Sequence, residues 1–517
     1  MGWRGGWVVS LLVVGVGCGG DLPDEGAPTG LAQEPTLAPE SPVTQEAFCP
    51  PTAAATQRVK TILPPSELGI PRFAAAPNNF EDFQGVLHFA VNYEDGRRAL
   101  WRSTGTDAGT TEVRSFPVTT GGFGATVNSL TATPSQLFFQ APDATRGQEL
   151  WVSNGTTAGT RLVKDLTPGV EGSFLTHLTA VGNDVVFFRE VFDEVASATR
   201  FELWRSDGTD AGTVRLRDFG TTVDVSFLDA RVGGALLFFV REQAGATSLW
   251  RTNGTASGTV QLRRLDAGPD TYPIDLRASG TLALFSLQES SGLTELWKSD
   301  GTAGGTVRLA SFGASRAVRI LGALGTSAYV TTTSFSTQYM VIYRVPLAGG
   351  NPTPVVTLPN DFAAQGAAFP SIGAVSSAPG GRRIYFAVNI GSDGPAPRDT
   401  QLWVTNGTAA GTTLLRRPLS LSDEYGSPVY AVADNLVYFS APDSDGDNIE
   451  PWVSNGTAAG TRRLKDIAPP TVGGTSYPRD FLRVGDRVYF SAFDETEAGQ
   501  LWSSALSNTC VAPEEAL

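Results

Sequence analysis

One phrase recurs along this chain at a nearly constant interval. ELWVSNGTTAGTRLVKD at 149–165 returns as FELWRSDGTDAGTVRLRD at 201–218, TELWKSDGTAGGTVRL at 294–309 and EPWVSNGTAAGTRRLKD at 450–466. Its aromatic falls at Trp101, Trp151, Trp204, Trp250, Trp297, Tyr343, Trp403, Trp452 and Trp502, with spacings of 50, 53, 46, 47, 46, 60, 49 and 50 residues. A period of this size belongs to propellers and solenoids, where each unit buries its apolar faces on its neighbours. The 517 residues therefore divide by repeat and not by average domain length.

Each aromatic is preceded by a β-branched and aromatic run of strand length: VLHFAVN, QLFFQAPD, VVFFREV, LLFFVRE, LALFSLQ, AYVTTTS, RIYFAV, LVYFSAPD and RVYFSAFD. A loop and a short strand such as TRLVKDL follow it, and a weaker strand such as THLTAVG leads into the next unit. Four short strands per unit without a helical period is the anatomy of a propeller blade. The 58 Gly and 33 Pro supply the turns.

The ends favour a closed ring over an open stack. TQRVKTIL at 56–63 aligns with TRRLKDIA at 461–468, so the chain begins with a strand that normally follows the loop and finishes on an aromatic-bearing strand, QLWSSALS. The expected fold is an all-β, closed β-propeller of about nine four-stranded blades, the last completed by both termini. The count is eight if the sixth unit, where Tyr343 replaces Trp and VPLAGGNPTPV replaces the loop, is an insertion. Closure would remove the exposed sheet edges.

The phrase itself has the chemistry of a scaffold. A buried Trp contributes ~4–6 kcal/mol gross, at ~25 cal/mol per Å² over ~150–250 Å², so these aromatics are expected between neighbouring blades. The loop is N-G-T-x-x-G-T, and the residue before its first Gly is Asn at 154, 253, 406 and 455, Asp at 207 and 300, and Thr at 104. A metal site would suffer from losing its carboxylate, whereas an Asx-type hydrogen bond tolerates that exchange. These units, seven of which keep both Gly-Thr pairs, resemble the ELWxxDGT repeat family of exported bacterial proteins. The resemblance implies a repetitive β architecture and carries no catalytic residues.

Residues 1–17, MGWRGGWVVSLLVVGVG, have one Arg ahead of an apolar run shorter than the ~20 residues of a membrane span, and are expected to be a signal peptide. Cys18 follows in VGVGCGG, which resembles a bacterial lipobox; Gly17 fits the small position, while Gly15 stands where Leu is usual. Residues 18–48 are expected to form an acidic, Pro-rich tether, since 19–48 hold six acidic residues and no Lys or Arg. The propeller, of repeats of about 48 residues, occupies 49–517. With three cysteines, the arithmetic closes if Cys18 carries lipid and Cys49 pairs with Cys510. Such a disulfide would contribute ~4–5 kcal/mol in the chain-entropy model.

Few residues suggest a discrete site. Asp443, Asp445 and Asp447 in APDSDGDNIE alternate as calcium ligands do, but the sixth-position Gly and closing Glu of an EF-hand are missing. A simpler hairpin-loop Ca²⁺ site is weighed against a solvated turn; no other cofactor is expected. Asp143, Asp193 and Asp494 end equivalent strands, as an acidic rim or as turn residues. His88 and His177, the only histidines, lack the spacing of a metal pair or triad. The formal charge of −14 argues against nucleic acid.

The leading expectation is an exported lipoprotein, lipid-anchored to the bacterial cell envelope with the outer membrane the favoured location, whose propeller binds a protein or glycan. Its contact with the membrane would be through the anchor alone. Alternatives are an enzyme acting on polysaccharide or peptide at the propeller centre, more weakly expected than a binding role, and a self-associating structural component. The sixth unit and the long loops at 188–203 and 389–401 are the expected bearers of individuality. Replacing Cys18 with Ala should release the protein from the membrane fraction; a variant that stays membrane-bound contradicts the anchor.

Overall fold

The structure, a computed structural model, describes residues 47–65, 75–116, 126–243, 245–265, 271–314, 316–366, 368–392, 397–420, 429–443, 448–468 and 474–509. All of them belong to one compact unit, Gln45–Leu517. The unit is a nine-bladed β-propeller of four-stranded antiparallel sheets. In blade 1 the strands run outward from the axis in chain order: Asn78–Phe83, Val86–Asn92, Arg98–Ser103 and Thr110–Phe116. Blades 2 to 8 repeat this order. The sixth unit is a complete blade of Arg316–Leu324, Ser327–Ser334, Met340–Pro346 and Thr353–Leu358, so the count is nine.

Blade 9 takes three strands from the C-terminal end, Arg479–Val484, Arg487–Phe493 and Gly499–Ala505, and its outermost from the N-terminal side, Thr56–Lys60. The register is Thr56↔Ser504, Gln57↔Ser503 and Arg58↔Trp502. Arg58 reinforces the closure through Asp494, at 2.8 Å, whose side chain is fully buried. Farther out, Cys49 bridges Ser507 and donates its N–H to that carbonyl at 2.7 Å. Cys49 is disulfide-bonded; Cys510, Cys18 and the segments 1–17 and 18–46 lie outside the described residues.

The chain ties up most of its apolar surface between blades. The second strand of each unit is almost wholly buried, as in Leu137, Phe138 and Phe139, because both faces of an inner sheet are covered. Nine apolar clusters result, one at each blade-to-blade contact. One joins Leu100, Val113 and Phe116 of blade 1 to Phe139 and Trp151 of blade 2. The ninth joins Val59, Tyr489 and Leu501 of blade 9 to Phe89 and Trp101 of blade 1. The repeated aromatic thus packs on the preceding blade: Trp151 meets Phe116 edge-on at 5.0 Å and Trp250 meets Phe219 at 5.3 Å.

Up-and-down blades give the ring two unlike faces. One, the turn face, carries the hairpins between first and second strands together with the Gly-Thr loops. The other, the crossover face, carries the hairpins between second and third strands and the connections to the next blade. Every innermost strand also contains a register shift, such as that between Asn78 and Glu81 in blade 1 and between Thr176 and Thr179 in blade 3. These irregularities bend the strands nearest the axis and interrupt their ladders. Peptide mapping without reductant should recover Cys49 joined to Cys510; two free thiols would contradict that pairing.

Candidate functional site

The Gly-Thr loop satisfies its own polar groups and grips its neighbours. In blade 2, Asn154 Oδ1 accepts from the Thr156 N–H and hydroxyl at 3.1 and 2.7 Å. The Gly155 N–H donates to Ser153 Oγ at 3.0 Å, and Ser153 and Thr160 share a hydroxyl bond of 2.7 Å. Gly155 has φ +84°, which favours glycine. At Gly159, a Cβ would fall 1.9 Å from Asn154 Oδ1, so the second Gly makes room for the Asx side chain.

The loop is also clamped from the preceding blade. Arg102 Nη1 donates to Gly155 O at 3.3 Å and Arg114 Nη1 to Thr160 O at 3.0 Å. Arg114 also lies over Trp151, 4.9 Å from its ring centre, and Arg217 and Arg416 stand similarly over Trp250 and Trp452 at 4.4 and 4.1 Å. The opening phrase is therefore scaffold, and Trp101, Trp151, Trp204, Trp250, Trp297, Trp403, Trp452 and Trp502 are interior groups of that scaffold.

The Glu that begins the phrase escaped the sequence reading. Glu450 accepts from Ile467 N at 2.9 Å, Ala468 N at 3.1 Å and Ser476 Oγ at 2.7 Å, fastening the connection from blade 8 to blade 9. Glu149 does the same with Leu166 N and Ser173 Oγ. Burial pushes both carboxyls up to about 7, against the pull of these donors. In blades 3 and 5 the Glu pairs instead with an Arg of the outermost strand, Glu202 with Arg215 and Glu295 with Arg308. Gln500 supports the structural role, accepting from Ile62 N and Leu63 N at 2.8 and 3.2 Å.

The other sequence candidates separate. Asp143, Asp193 and Asp494 each accept backbone N–H bonds from the turn that follows, so they are turn residues. Asp443 pairs with Arg463 at 3.1 Å and accepts from Asn448 Nδ2 at 3.1 Å. Asp445 and Asp447 lie outside the described residues. His88 is buried, with Nδ1 3.1 Å from Val86 O, and desolvation lowers its pKa to about 4. His177 lies on the innermost strand of blade 3, with Nδ1 2.9 Å from Asp229 Oδ2 of blade 4. Two further innermost-strand carboxyls are raised by burial: Glu81, which accepts from Ala132 N of blade 2, and Asp480, which is brought to about 6.

The faces differ most in exposed apolar surface. Of ten exposed large apolar side chains among the described residues, eight lie on the crossover face: Val170, Phe174, Phe192, Val195, Tyr272, Phe335, Tyr339 and Phe369. Val195 is 99% exposed at the tip of the blade 3 hairpin, with Phe192 at 64% beside it in sequence. Phe335 of blade 6 and Phe369, just before blade 7, meet edge-on at 6.0 Å. Two cavities accompany these features. One of about 230 Å³ sits at the closure seam beside Leu63, Tyr93 and Ala498. Another, of about 680 Å³, opens on the turn face beneath Gly85, Pro134, Gly182 and Gly233, with Asp82 and Arg231 in its wall.

No family model matches the sequence, and no curated protein matches it. Solved structures do. A dipeptidyl peptidase 4 from Porphyromonas gingivalis is similar at 10% identity and TM-score 0.49, over 82% of this chain and 65% of that one. A structure from a study of two prolyl endopeptidases gives 10% and 0.41, over 74% and 55%. The β-propeller domain of the Trilobed protease from Pyrococcus furiosus gives 12% and 0.35, over 65% and 98%. The chain spans about half the length of the prolyl endopeptidase and oligopeptidase B chains it matches. Identity this low, at TM-scores below 0.5, carries none of their activities over.

The buried glutamates make stability depend on pH. Their folded-state pKa values lie above the ordinary 4.5, so between about pH 4.5 and 7 the folded chain holds protons that the unfolded chain has released. The contribution of these glutamates therefore falls as pH rises through that window, by roughly 3 kcal/mol per group at ~1.36 kcal/mol per pKa unit, while buried His88, lowered to about 4, contributes in the opposite sense. Replacing Glu450 with Gln should flatten this slope in thermal unfolding measured from pH 4.5 to 8. An unchanged slope would contradict the assignment.

Proposed function

We propose that this propeller is a binding scaffold of the cell envelope, held by a lipid at Cys18 and recognising a protein or glycan through its crossover face. The observation that supports this reading most directly is the one-sided display of apolar side chains. The turn face is built from repeated small loops whose hydrogen bonds close on themselves. The crossover face carries the irregular connections and, among the described residues, eight of the ten exposed large apolar side chains. Function on rigid scaffolds concentrates on variable connections, and contiguous exposed apolar groups, such as Phe335 against Phe369, mark interaction surfaces.

An enzyme at the propeller centre remains the second reading, on the strength of Glu81 and Asp480, whose carboxyls are raised by burial on innermost strands of neighbouring blades. Raised carboxyls are what acid–base catalysis uses. Their charged neighbours differ, however: Asp82 and Arg231 act on Glu81, and Arg479 on Asp480. Neither carboxyl is a charged neighbour of the other, so the two are not supported as a coupled acid–base pair, and the one-sided apolar display keeps binding as the first reading.

The test is capture from cross-linked envelope extract with the full-length protein. A specific partner should be retained, and Phe192→Ser with Val195→Ser, or Phe335→Ser with Phe369→Ser, should reduce its retention at least fivefold. Thr157→Lys on the turn face should leave it unchanged. Loss of the partner only with the turn-face variant would overturn the assignment.

A further inference from the structure

Four side chains occupy equivalent, conformationally unfavourable positions on four consecutive innermost strands. They are Asp480 in blade 9, Asn79 in blade 1, Ser129 in blade 2 and His177 in blade 3, with φ values of +56°, +53°, +54° and +55°. Each sits at the register shift of its strand, where the second strand pairs one residue fewer: Arg479 to Leu482, Asn78 to Glu81, Asn128 to Thr131 and Thr176 to Thr179. Because blade 9 adjoins blade 1 through the closed ring, the four form one arc.

A left-handed backbone costs most residues with a Cβ, Ser129 here more than Asn79, His177 or Asp480, and is free of that cost for glycine. In its turns this chain mostly places glycine at positive φ, Gly85, Gly182 and Gly233 among them, with Gln84, Ser197, Gln338 and Glu497 as exceptions. Along the arc it keeps an amide, a hydroxyl, an imidazole and a carboxyl instead. Backbone strain of this kind persists where the side chain is needed. Asn79 is exposed and the other three are partly exposed, although all lie on strands nearest the axis.

The arc is held in place between blades. The Ser129 N–H of blade 2 donates to Asn79 Oδ1 of blade 1 at 3.2 Å, and His177 Nδ1 lies 2.9 Å from Asp229 Oδ2 of blade 4. Phe174 stands three residues before His177 on the same strand, 71% exposed. We infer that this arc is a subsite for a neutral, hydroxyl-rich chain, an oligosaccharide, with one polar side chain per blade meeting successive hydroxyl or amide groups and Phe174 offering an apolar platform at one end. This deepens the binding reading and rests on it.

Chemistry favours a glycan over a peptide strand. A peptide adding to a sheet edge pairs along a regular run of backbone groups, whereas the bulge at each register shift bends and twists the innermost strand that would receive it. What remains on offer is a row in which Asn79, Ser129 and His177 carry both donors and acceptors and the Asp480 carboxylate accepts, beside an exposed ring. Such a combination of apolar surface with a few placed polar groups is typical of small-molecule and saccharide-sized sites.

The test uses the full-length protein in detergent, with chitohexaose, cellohexaose and maltohexaose as probes in calorimetric titrations. At least one should bind, and Asn79→Gly with Ser129→Gly should weaken it tenfold or more. Glycine accepts the left-handed backbone, which offsets the loss of the Ser129 N–H bond to Asn79 and of the Ser129 hydroxyl bonds, so the variant should still unfold cooperatively with its thermal midpoint within a few degrees of the parent, which separates loss of a contact from loss of folding. Phe174→Ala should weaken binding as well. Failure of all three saccharides to bind, or binding indifferent to the glycine variant, overturns the inference. If saccharides fail while a protein is still captured through the crossover face, the scaffold reading stands alone; if both fail, both fall.

Discussion

No blade of this protein can bury its own faces, and everything else in the ring follows from that constraint. A four-stranded sheet has two apolar sides, and here each side is covered by the next sheet around the axis. Trp151 illustrates the geometry: it leaves blade 2 to pack against Phe116 of blade 1, with Arg114 of blade 1 laid over its indole. Truncating such a Trp to Ala costs ~3–5 kcal/mol in typical cores, so the nine contacts together determine whether a ring exists. Closure is then a requirement, because an open ring would leave two such faces in water. Thr56–Lys60 supplies it by completing blade 9, and the buried Asp494 paired with Arg58 fixes the join.

The same constraint separates the two ends of the ring. The Gly-Thr loops must sit close to the preceding blade, which is why Gly155 faces His88 and Gly208 faces Gln136 across the interface. That closeness leaves little freedom for variation on the turn face. The crossover face has no such obligation. Its hairpins and connections are fastened from beneath, by Glu149, Glu450 and Gln500, and their outer side chains are free to differ from blade to blade.

How much of this was legible in the sequence depended on whether a feature repeats. The period of the aromatic, the strand runs and the offset of TQRVKTIL against TRRLKDIA were enough for the ring, its closure and its blade architecture. The exchange of Asn154 for Asp207 or Thr104 at one loop position was enough to assign the loop to scaffold. The sixth blade stayed ambiguous because Tyr343 and VPLAGGNPTPV keep the strands but lose the loop. The role of the repeated Glu was missed because its partners are backbone groups of a connection with no sequence signature. The arc of Asp480, Asn79, Ser129 and His177 was invisible for a related reason: four different residue types share a backbone conformation, which only coordinates reveal. His177 lacks the sequence spacing of a metal pair or triad, and its position beside Asp229 follows from packing between blades.

On the proposed reading the two faces divide the work, the turn face holding the ring together and the crossover face with the inner rim meeting the partner. Hydrogen–deuterium exchange of the full-length protein, with and without envelope extract, tests this most directly. The account predicts added protection in peptides spanning 188–203, 334–340 and the innermost strands of blades 9 and 1 to 3, with none in the loops at 154–160, 207–213 and 406–412. Protection concentrated in those Gly-Thr loops would contradict it.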